Sequence, residues 1–346
     1  MTATPSKRRS KAAPTPAPAS SPTAAPRGGA PLRSVGLLGL GIMGSAMAGN
    51  LMKAGFAVCG FDPSAPARQR FRAARGTLCA DAATLASQAD VIITSLPSAA
   101  ALMASAEQIA RTAPRGLLVV ETSTLDTTDK EAARRVLAQA GVLLLDCPLS
   151  GTGAQAVLKD LTVYASGPAA AIKRLRPVFE GFSKAHFALG AFGNGMRMKL
   201  MANLLVAVHN VAAAEALLLG QRWGISPSTA VKVLADGAGG SRMLQVRGPQ
   251  MENRGWETAT MKVEVWQKDM KLIAAALREA GVPAPLFAAS APIYDAAMGM
   301  GHALHDTAAV FDVLDRMSRP PQAVVTQAAA TSSTKAKAKS KPKAKT

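Results

Sequence analysis

Gly39-Leu40-Gly41-Ile42-Met43-Gly44 decides the fold of this chain, because it follows the apolar stretch SVGLL and opens a helical stretch. The glycines have distinct physical tasks: Gly39 permits a tight turn, Gly41 lets a ligand approach the backbone, and Gly44 lets helix and strand pack closely. The first turn of a helix also carries unpaired N–H groups and the positive end of the helix dipole, which favour phosphates. These six residues therefore predict a dinucleotide-binding turn.

An acidic residue follows at the distance that such a turn requires. Asp62 ends the next apolar run, 23 residues after Gly39. A carboxylate at this point accepts hydrogen bonds from the adenosine ribose and repels a 2′-phosphate, so NAD is favoured over NADP. Two alternatives stay open: Asp62 could merely cap the turn before Pro63, and the nearby Arg68 and Arg70 would suit a phosphate.

The chain beyond this turn alternates apolar runs with helical stretches, which is typical of a doubly wound α/β domain with a parallel sheet. Predicted buried strands are SVGLLGL, AVCGFD, VIITSL, LLVVETS and VLLLDCP, with LTVYASG as a further strand. Predicted helices between them span residues 42–53, 65–74, 82–88, 99–111, 129–140 and 169–181. From Gly193 only helices are predicted, at residues 196–223, 227–235, 261–280 and 285–300.

Four segments follow from this pattern. Residues 34–192 are predicted to form a Rossmann-type domain and residues 193–317 an all-α domain for substrate binding and oligomerisation. Residues 1–33 and 318–346 are rich in Pro, Ala and Lys, and we expect both tails to be disordered. The first predicted helix of the all-α domain, residues 196–223, has about 28 residues. At ~1.5 Å per residue it is longer than one globular lobe. It predicts packing against a second subunit, in a homodimer or homotetramer.

Charge and cysteine content limit the class of protein. The net charge is +18, but six basic residues lie in the first 34 positions and seven in the last 30, with no acid in either segment. The remainder carries only +5, which suits an enzyme of small anions. Three widely spaced cysteines predict a reduced, cytoplasmic protein. No uncharged apolar run approaches the ~18 residues of a membrane span. His302 and His305 are not accompanied by the further Cys, His or acidic ligands that a metal site needs, so no metal is predicted.

Two groups of polar residues are candidates for binding or catalysis from their residue types alone. Ser150 stands beside Gly151 and Gly153, where a hydroxyl and exposed backbone N–H groups predict an anion-binding nest. Lys199 and Asn203 are four residues apart, so they share one face of a largely apolar helix. A lysine desolvated there has a lowered pKa and becomes useful for proton transfer. The alternatives are a glycine-rich turn and a surface lysine.

The segment GLGIMGSAMAGNLMKAG resembles the opening of the 3-hydroxyisobutyrate dehydrogenase family of β-hydroxyacid dehydrogenases, and the resemblance extends over most of residues 34–315. Five further segments match that family in the same order: TSLP at 94–97, ETST at 121–124, DCPLSGTGA at 146–154, GNGMRMKLMAN at 193–203 and WQKDMKL at 266–272. The stretches LTVYASG and GHALHDTAAV are similar to a threonate-dehydrogenase-like branch.

This resemblance implies roles for individual residues. It implies that Lys199 is the acid/base, that Asn203, Ser150, Gly151 and Gly153 hold a hydroxy-acid substrate, and that the product is reduced NAD. The residues that it implies for the cofactor, beyond the glycine-rich turn and Asp62, are Leu96, Pro97, Ser123, Thr124 and Lys268. Thr152 stands where the family has a second glycine, and Leu149 stands for a valine.

Rival functions remain within this pattern. The enzyme could act as a reductase of a semialdehyde or glyoxylate-type substrate, since sequence does not fix the direction. An imine-reducing relative is disfavoured, because such relatives generally replace the lysine at position 199. A nucleic-acid-associated scaffold that uses the basic tails is the rival from another class, and a salt-titrated DNA-binding assay discriminates it.

Overall fold

The computed structural model describes residues 31–318. Its main sheet has six parallel strands in the order β3-β2-β1-β4-β5-β6. These strands are β1 (Ser34–Leu38), β2 (Ala57–Phe61), β3 (Thr77–Leu78), β4 (Val91–Thr94), β5 (Leu118–Glu121) and β6 (Leu143–Asp146). The connecting helices are α1 (Ile42–Lys53), α2 (Ala65–Ala73), α3 (Ala82–Gln88), α4 (Ala99–Thr112) and α5 (Thr127–Gln139). This architecture confirms the predicted doubly wound α/β fold.

The strand order reverses direction at the centre of the sheet, between β1 and β4. β1 pairs in parallel with β2 on one side and with β4 on the other, so the connections leave in opposite directions. Ligands of open α/β sheets bind in the crevice outside the carboxyl ends of the strands at such a point. The turn from Gly39 to Gly44 lies at this crevice, because it follows the carboxyl end of β1.

A second, smaller sheet adjoins the first. It contains β7 (Leu149–Ser150), β8 (Thr162–Ala165) and β9 (Ala185–Ala188), with α6 (Gly153–Val157) and α7 (Ala169–Phe182) between them. The predicted strand LTVYASG therefore belongs to this sheet and does not continue the six-stranded one. The strands β3 and β7 escaped sequence analysis because two residues are too short for a pattern, and β9 escaped it because Ala185–Ala188 is not an apolar run and has no buried residue.

The remainder of the described chain is helical. It consists of α8 (Asn194–Arg222), α9 (Pro227–Asp236), α10 (Arg242–Glu252), α11 (Val263–Glu279), α12 (Pro285–Gly299), a 3₁₀ turn (Thr307–Ala309) and α13 (Val310–Met317). The helical second half confirms the predicted fold class. α10 and α13 were not predicted, and Ser241 is the N-cap of α10.

The long helix α8 connects the two halves of the structure. It packs against β6, β7 and β8 at its start and against α9 to α13 further along. By length and composition alone α8 is apolar enough to cross a membrane. A helix that packs inside a protein passes the same test, and α8 packs in both halves and includes Glu215. Met201, Leu205 and Leu219 on this helix are at least half exposed. Packing of α8 against a second subunit stays a prediction, as do the domain boundaries.

The predicted disordered tails, residues 1–33 and 318–346, lie almost entirely outside the described residues.

Candidate active site

The glycine-rich turn has the geometry that its sequence predicts. Gly39 has φ 94°, and a Cβ there would overlap the carbonyl oxygen of Ser95. A Cβ on Gly44 would overlap the carbonyl oxygen of Gly39, so α1 approaches β1 as closely as backbone allows. A Cβ on Gly41 would meet nothing within 4 Å. The backbone is therefore open at the one glycine where a pyrophosphate has to approach.

The N-terminus of α1 offers its N–H groups to that space. Gly41 is the N-cap and has no side chain to bond them, and the first intrahelical bond is donated by Ser45. Ile42 is 79 % exposed. Unpaired donors at a helix N-terminus with open space before them fit a dinucleotide phosphate.

Asp62 closes the other side of the same turn. Its Oδ2 accepts a hydrogen bond from Leu40 N at 2.7 Å, and its Oδ1 accepts one from Ser64 N at 2.8 Å. Arg68 donates to the carbonyl oxygens of Asp62 and Pro63 at 2.7 and 2.8 Å. The carboxylate thus stands beside the glycine-rich turn with a guanidinium immediately behind it.

The loops after β4 and β5 are tied together. Leu96 N donates to Ser123 Oγ at 2.8 Å, and the next residue, Pro97, is exposed. The carbonyl oxygen of Thr124 accepts a hydrogen bond from Lys268 Nζ at 2.6 Å. Lys268 belongs to α11, so this contact joins the helical half to the edge of the main sheet. The role of Lys268 in binding the cofactor, which the resemblance implies, stays a prediction.

The segment with Ser150 lies between α1 and α8. Ser150 ends β7, which contacts α8, and Gly151 has φ 133°. Gly153 begins α6 and packs so tightly on Ile42 that a Cβ would overlap the Ile42 side chain. The residue that departs from the family, Thr152, caps α6, and its N–H donates to Gln155 Oε1 at 3.0 Å. The Thr152 amide is therefore already engaged, whereas Gly153 brings the backbone close to Ile42 of the cofactor turn.

Lys199 and Asn203 project from one face of α8. Asn203 is 4 % exposed, and its Nδ2 donates to Asp269 Oδ2 at 3.0 Å. Part of the Lys199 side chain reaches solvent, but burial lowers the pKa of its amine below the ordinary value. The nearby Lys268 lowers that pKa as well, and the Asp269 carboxylate opposes both effects. The net shift is downward, so more of the amine is neutral at a given pH than in an exposed lysine.

Asp269 is a site residue that sequence analysis missed. It is 6 % exposed, its Oδ1 has no hydrogen-bond partner among the described residues, and Lys268 Nζ lies 3.8 Å from that oxygen. Burial raises the pKa of the carboxyl despite the two neighbouring lysines. A signal was available, because Asp269 occupies the same helical face as the buried Trp266 and Ile273. An acid on an apolar face indicates a function.

A second missed cluster lies beneath the site. Lys130 of α5 is completely buried, with its Nζ 2.7 Å from Glu121 Oε2 and 2.8 Å from Asp146 Oδ1. Both carboxylates are also fully buried, and they are register partners at the carboxyl ends of β5 and β6. We call these three residues the Lys130 triad. Burial alone would lower the pKa of Lys130, but the two carboxylates outweigh it and hold the pKa above its ordinary value.

A glycine-rich turn at the carboxyl end of β1, with the Asp62 carboxylate bonded to it, is the pattern of an oxidoreductase that binds a nicotinamide dinucleotide. Comparison with known families agrees. Residues 34–221 match the NAD binding domain of 6-phosphogluconate dehydrogenase, and residues 193–314 match the NAD-binding domain of NADP-dependent 3-hydroxyisobutyrate dehydrogenase. The chain belongs to the 3-hydroxyisobutyrate dehydrogenase family, which confirms the resemblance seen in its sequence. It is an NAD(P)-dependent hydroxyacid dehydrogenase.

Individual relatives cover nearly the whole described chain. An L-threonate dehydrogenase of Cupriavidus necator is 35% identical over 295 residues, which are 84% of this chain and 99% of the relative. A probable 3-hydroxyisobutyrate dehydrogenase of Mycobacterium tuberculosis is 32% identical over 273 residues, 75% of this chain and 90% of the relative. The crystal structure of 3-hydroxyisobutyrate dehydrogenase from Salmonella typhimurium superposes with a TM-score of 0.73 at 28% identity, covering 81% of this chain and 99% of that one.

Proposed function

We propose that this enzyme oxidises a small hydroxy acid with NAD, and that Lys199 takes the proton from the reacting hydroxyl. The observation that carries the proposal is that Lys199 and the buried Asn203 lie one turn apart on the same face of α8. The lowered pKa of Lys199 increases the fraction of neutral amine, which is the form that accepts a proton. Asn203 has its amide fixed by Asp269 at 3.0 Å, so it is oriented before substrate arrives.

Substrate binding is assigned to three elements. Ser150, Gly151 and Gly153 hold the carboxylate of the acid, and Asn203 and Lys199 contact its hydroxyl. Support comes from the contact of β7 with α8 and of α6 with α1, which puts the carboxylate segment between the catalytic helix and the cofactor turn. A bound nicotinamide supplies the hydride acceptor in this reaction. The side chains of this chain position the substrate and move the proton.

The preference for NAD rests on Asp62. Its carboxylate lies 2.7 Å from Leu40 N at the edge of the glycine-rich turn, where it would repel a 2′-phosphate. Replacing Asp62 with Ser should therefore raise KM for NAD and lower KM for NADP. Equal changes for the two cofactors would contradict this assignment.

A four-carbon polyhydroxy acid of the threonate type is the first substrate to test. The L-threonate dehydrogenase of Cupriavidus necator is 35% identical to this chain, and a related enzyme of Escherichia coli is 30% identical. The experiment measures NADH formation with L-threonate, 3-hydroxyisobutyrate and other three- and four-carbon hydroxy acids. It is repeated with NADP, and in reverse with glyoxylate and semialdehydes. No turnover with any acid in either direction would reject the proposal.

A further inference from the structure

The Lys130 triad connects the two parts of the active site that have to be held in register. One part is the loop with Ser123 and Thr124, on the cofactor side. The other is the N-terminus of α8, one helical turn before Lys199. Nothing in the chemistry proposed above uses the triad itself, and its three side chains are completely buried.

The first connection runs from Glu121 to the cofactor-side loop. Glu121 Oε1 accepts a hydrogen bond from Ser123 N at 2.9 Å. Ser123 Oγ in turn accepts one from Leu96 N at 2.8 Å, so the loops after β4 and β5 are tied through the same residue. Its neighbour Thr124 receives Lys268.

The second connection runs from Asp146 to α8. Asp146 Oδ2 accepts hydrogen bonds from Met196 N at 2.8 Å and from Ser166 Oγ at 3.1 Å. Ser166 Oγ accepts one from Gly195 N at 3.0 Å. The first turn of α8 is thus bonded to the end of β6 rather than capped by its own sequence, since its N-cap Gly193 has no side chain.

Close packing reinforces this second connection. A Cβ on Gly195 would overlap the carbonyl oxygen of Tyr164 and lie 2.6 Å from that of Asp146. Any side chain at Gly195 therefore has to move the start of α8 away from the sheet. Lys199 would move with it, because the helix is rigid over one turn.

We propose that the Lys130 triad is a positioning device, which fixes the distance between the cofactor-side loop and Lys199 by bonding both to one buried ammonium group. Lys130 is a positioning residue and touches neither substrate nor cofactor. Without it, two register-paired carboxylates would face each other in the interior, and only the backbone pairing of β5 with β6 would link the two connections. This inference rests on the proposed function of Lys199.

Two variants test the device without removing Lys130. Asp146→Asn keeps the shape of the side chain but cannot serve both Lys130 and Met196 as a charged acceptor. Gly195→Ala keeps all three charges and displaces the helix. Both should lower kcat by about 10- to 100-fold, with KM for NAD within about twofold of the parent, because misplacement of about 1 Å costs rate and leaves cofactor binding intact. Lys130→Met should show the same separation of kcat from KM if it folds.

Asp312→Asn is the matched control. Asp312 is a buried carboxylate with cationic or basic partners, Arg254, His302 and Arg316, none of which is a predicted site residue. It should lower Tm and leave kcat unchanged at temperatures well below Tm. If Asp146→Asn and Gly195→Ala keep the parent's kcat, or if Asp312→Asn loses as much, the triad is structural only and the inference is wrong. If the parent itself has no hydroxy-acid turnover, the proposed function fails first and takes this inference with it.

Discussion

Two lysines of this enzyme are buried to different degrees and their amines respond in opposite ways. Lys130 is completely buried and has a carboxylate within 2.8 Å on each of two sides, and its pKa is raised. Lys199 is partly exposed, faces one carboxylate and one further lysine, and has a lowered pKa. Pairing, rather than depth of burial, decides the direction in which each pKa moves.

The difference separates the scaffold from the chemistry. A lysine held charged between two carboxylates cannot accept a proton at neutral pH, but it orients both partners and the backbone bonded to them. An incompletely paired buried lysine is held at a cost in stability, and a larger fraction of it is neutral at a given pH. Exchanging the environments would remove both properties.

The largest effect on rate is expected at Lys199. Lys199→Met removes the acid/base and preserves most of the apolar side chain, so turnover should fall by about 10²- to 10⁴-fold, the usual contribution of a positioned acid/base. The Kd of NADH, measured by fluorescence titration, should equal that of the parent. Unchanged turnover would show that Lys199 is not the proton acceptor.

The largest effect on stability is expected at Lys130. Lys130→Met leaves two uncompensated carboxylates in the interior, and breaking a buried pair in this way costs about 3–5 kcal/mol. Urea denaturation should show a lower midpoint than in the parent. In Lys199→Met the midpoint should be unchanged or higher, since no paired charge is lost. Equal destabilisation by the two substitutions would contradict the proposed division of roles.

Sequence analysis found one of these lysines and not the other, for a physical reason. Lys199 stands out locally, as a cation on an apolar helix in a segment that matches the family. Lys130 lies in TTDKEAARR, where charges on nearly every side of the helix suggest solvent. Its burial depends on Glu121 and Asp146, which come together only through the pairing of β5 with β6.

The same limit applies to the rest of the fold. The glycine-rich turn and the long helices were predictable because their signals are local and periodic. α10 was not, because it contains Gly248 and Pro249, which disfavour a helix on propensity alone. Packing overrides that propensity: a Cβ on Gly248 would press on Val231 of α9 at 2.8 Å. Asp269 needed the tertiary structure for its partner, Asn203.

A smaller effect is expected in the pH dependence of kcat. Asp269 raises the pKa of Lys199 and Lys268 lowers it. Asp269→Asn should therefore move the alkaline rise of kcat for oxidation to lower pH, and Lys268→Met should move it to higher pH. Shifts in the same direction for both variants would mean that the titrating group is not Lys199. Fitting kcat over pH 6–11 measures both shifts, with about 1.4 kcal/mol of differential interaction for each pKa unit.

The smallest effect is expected in the pH dependence of stability. Because the folded-state pKa of Lys199 lies below its unfolded value, burying the charged amine costs stability at neutral pH. That cost falls as pH rises through the folded pKa and ends near the unfolded value of about 10.4. Lys199→Met should therefore have a higher Tm than the parent, with the largest difference near pH 7 and a smaller one toward pH 10. Each kcal/mol of removed cost corresponds to roughly 2–4 °C in Tm. Lys130 should behave in the opposite way, because its raised pKa keeps its ion pairs intact until pH exceeds about 10.4. A Tm difference for Lys199→Met that does not change with pH would show that the amine is not destabilised by burial, and the contrast between the two lysines would then reduce to their contacts alone.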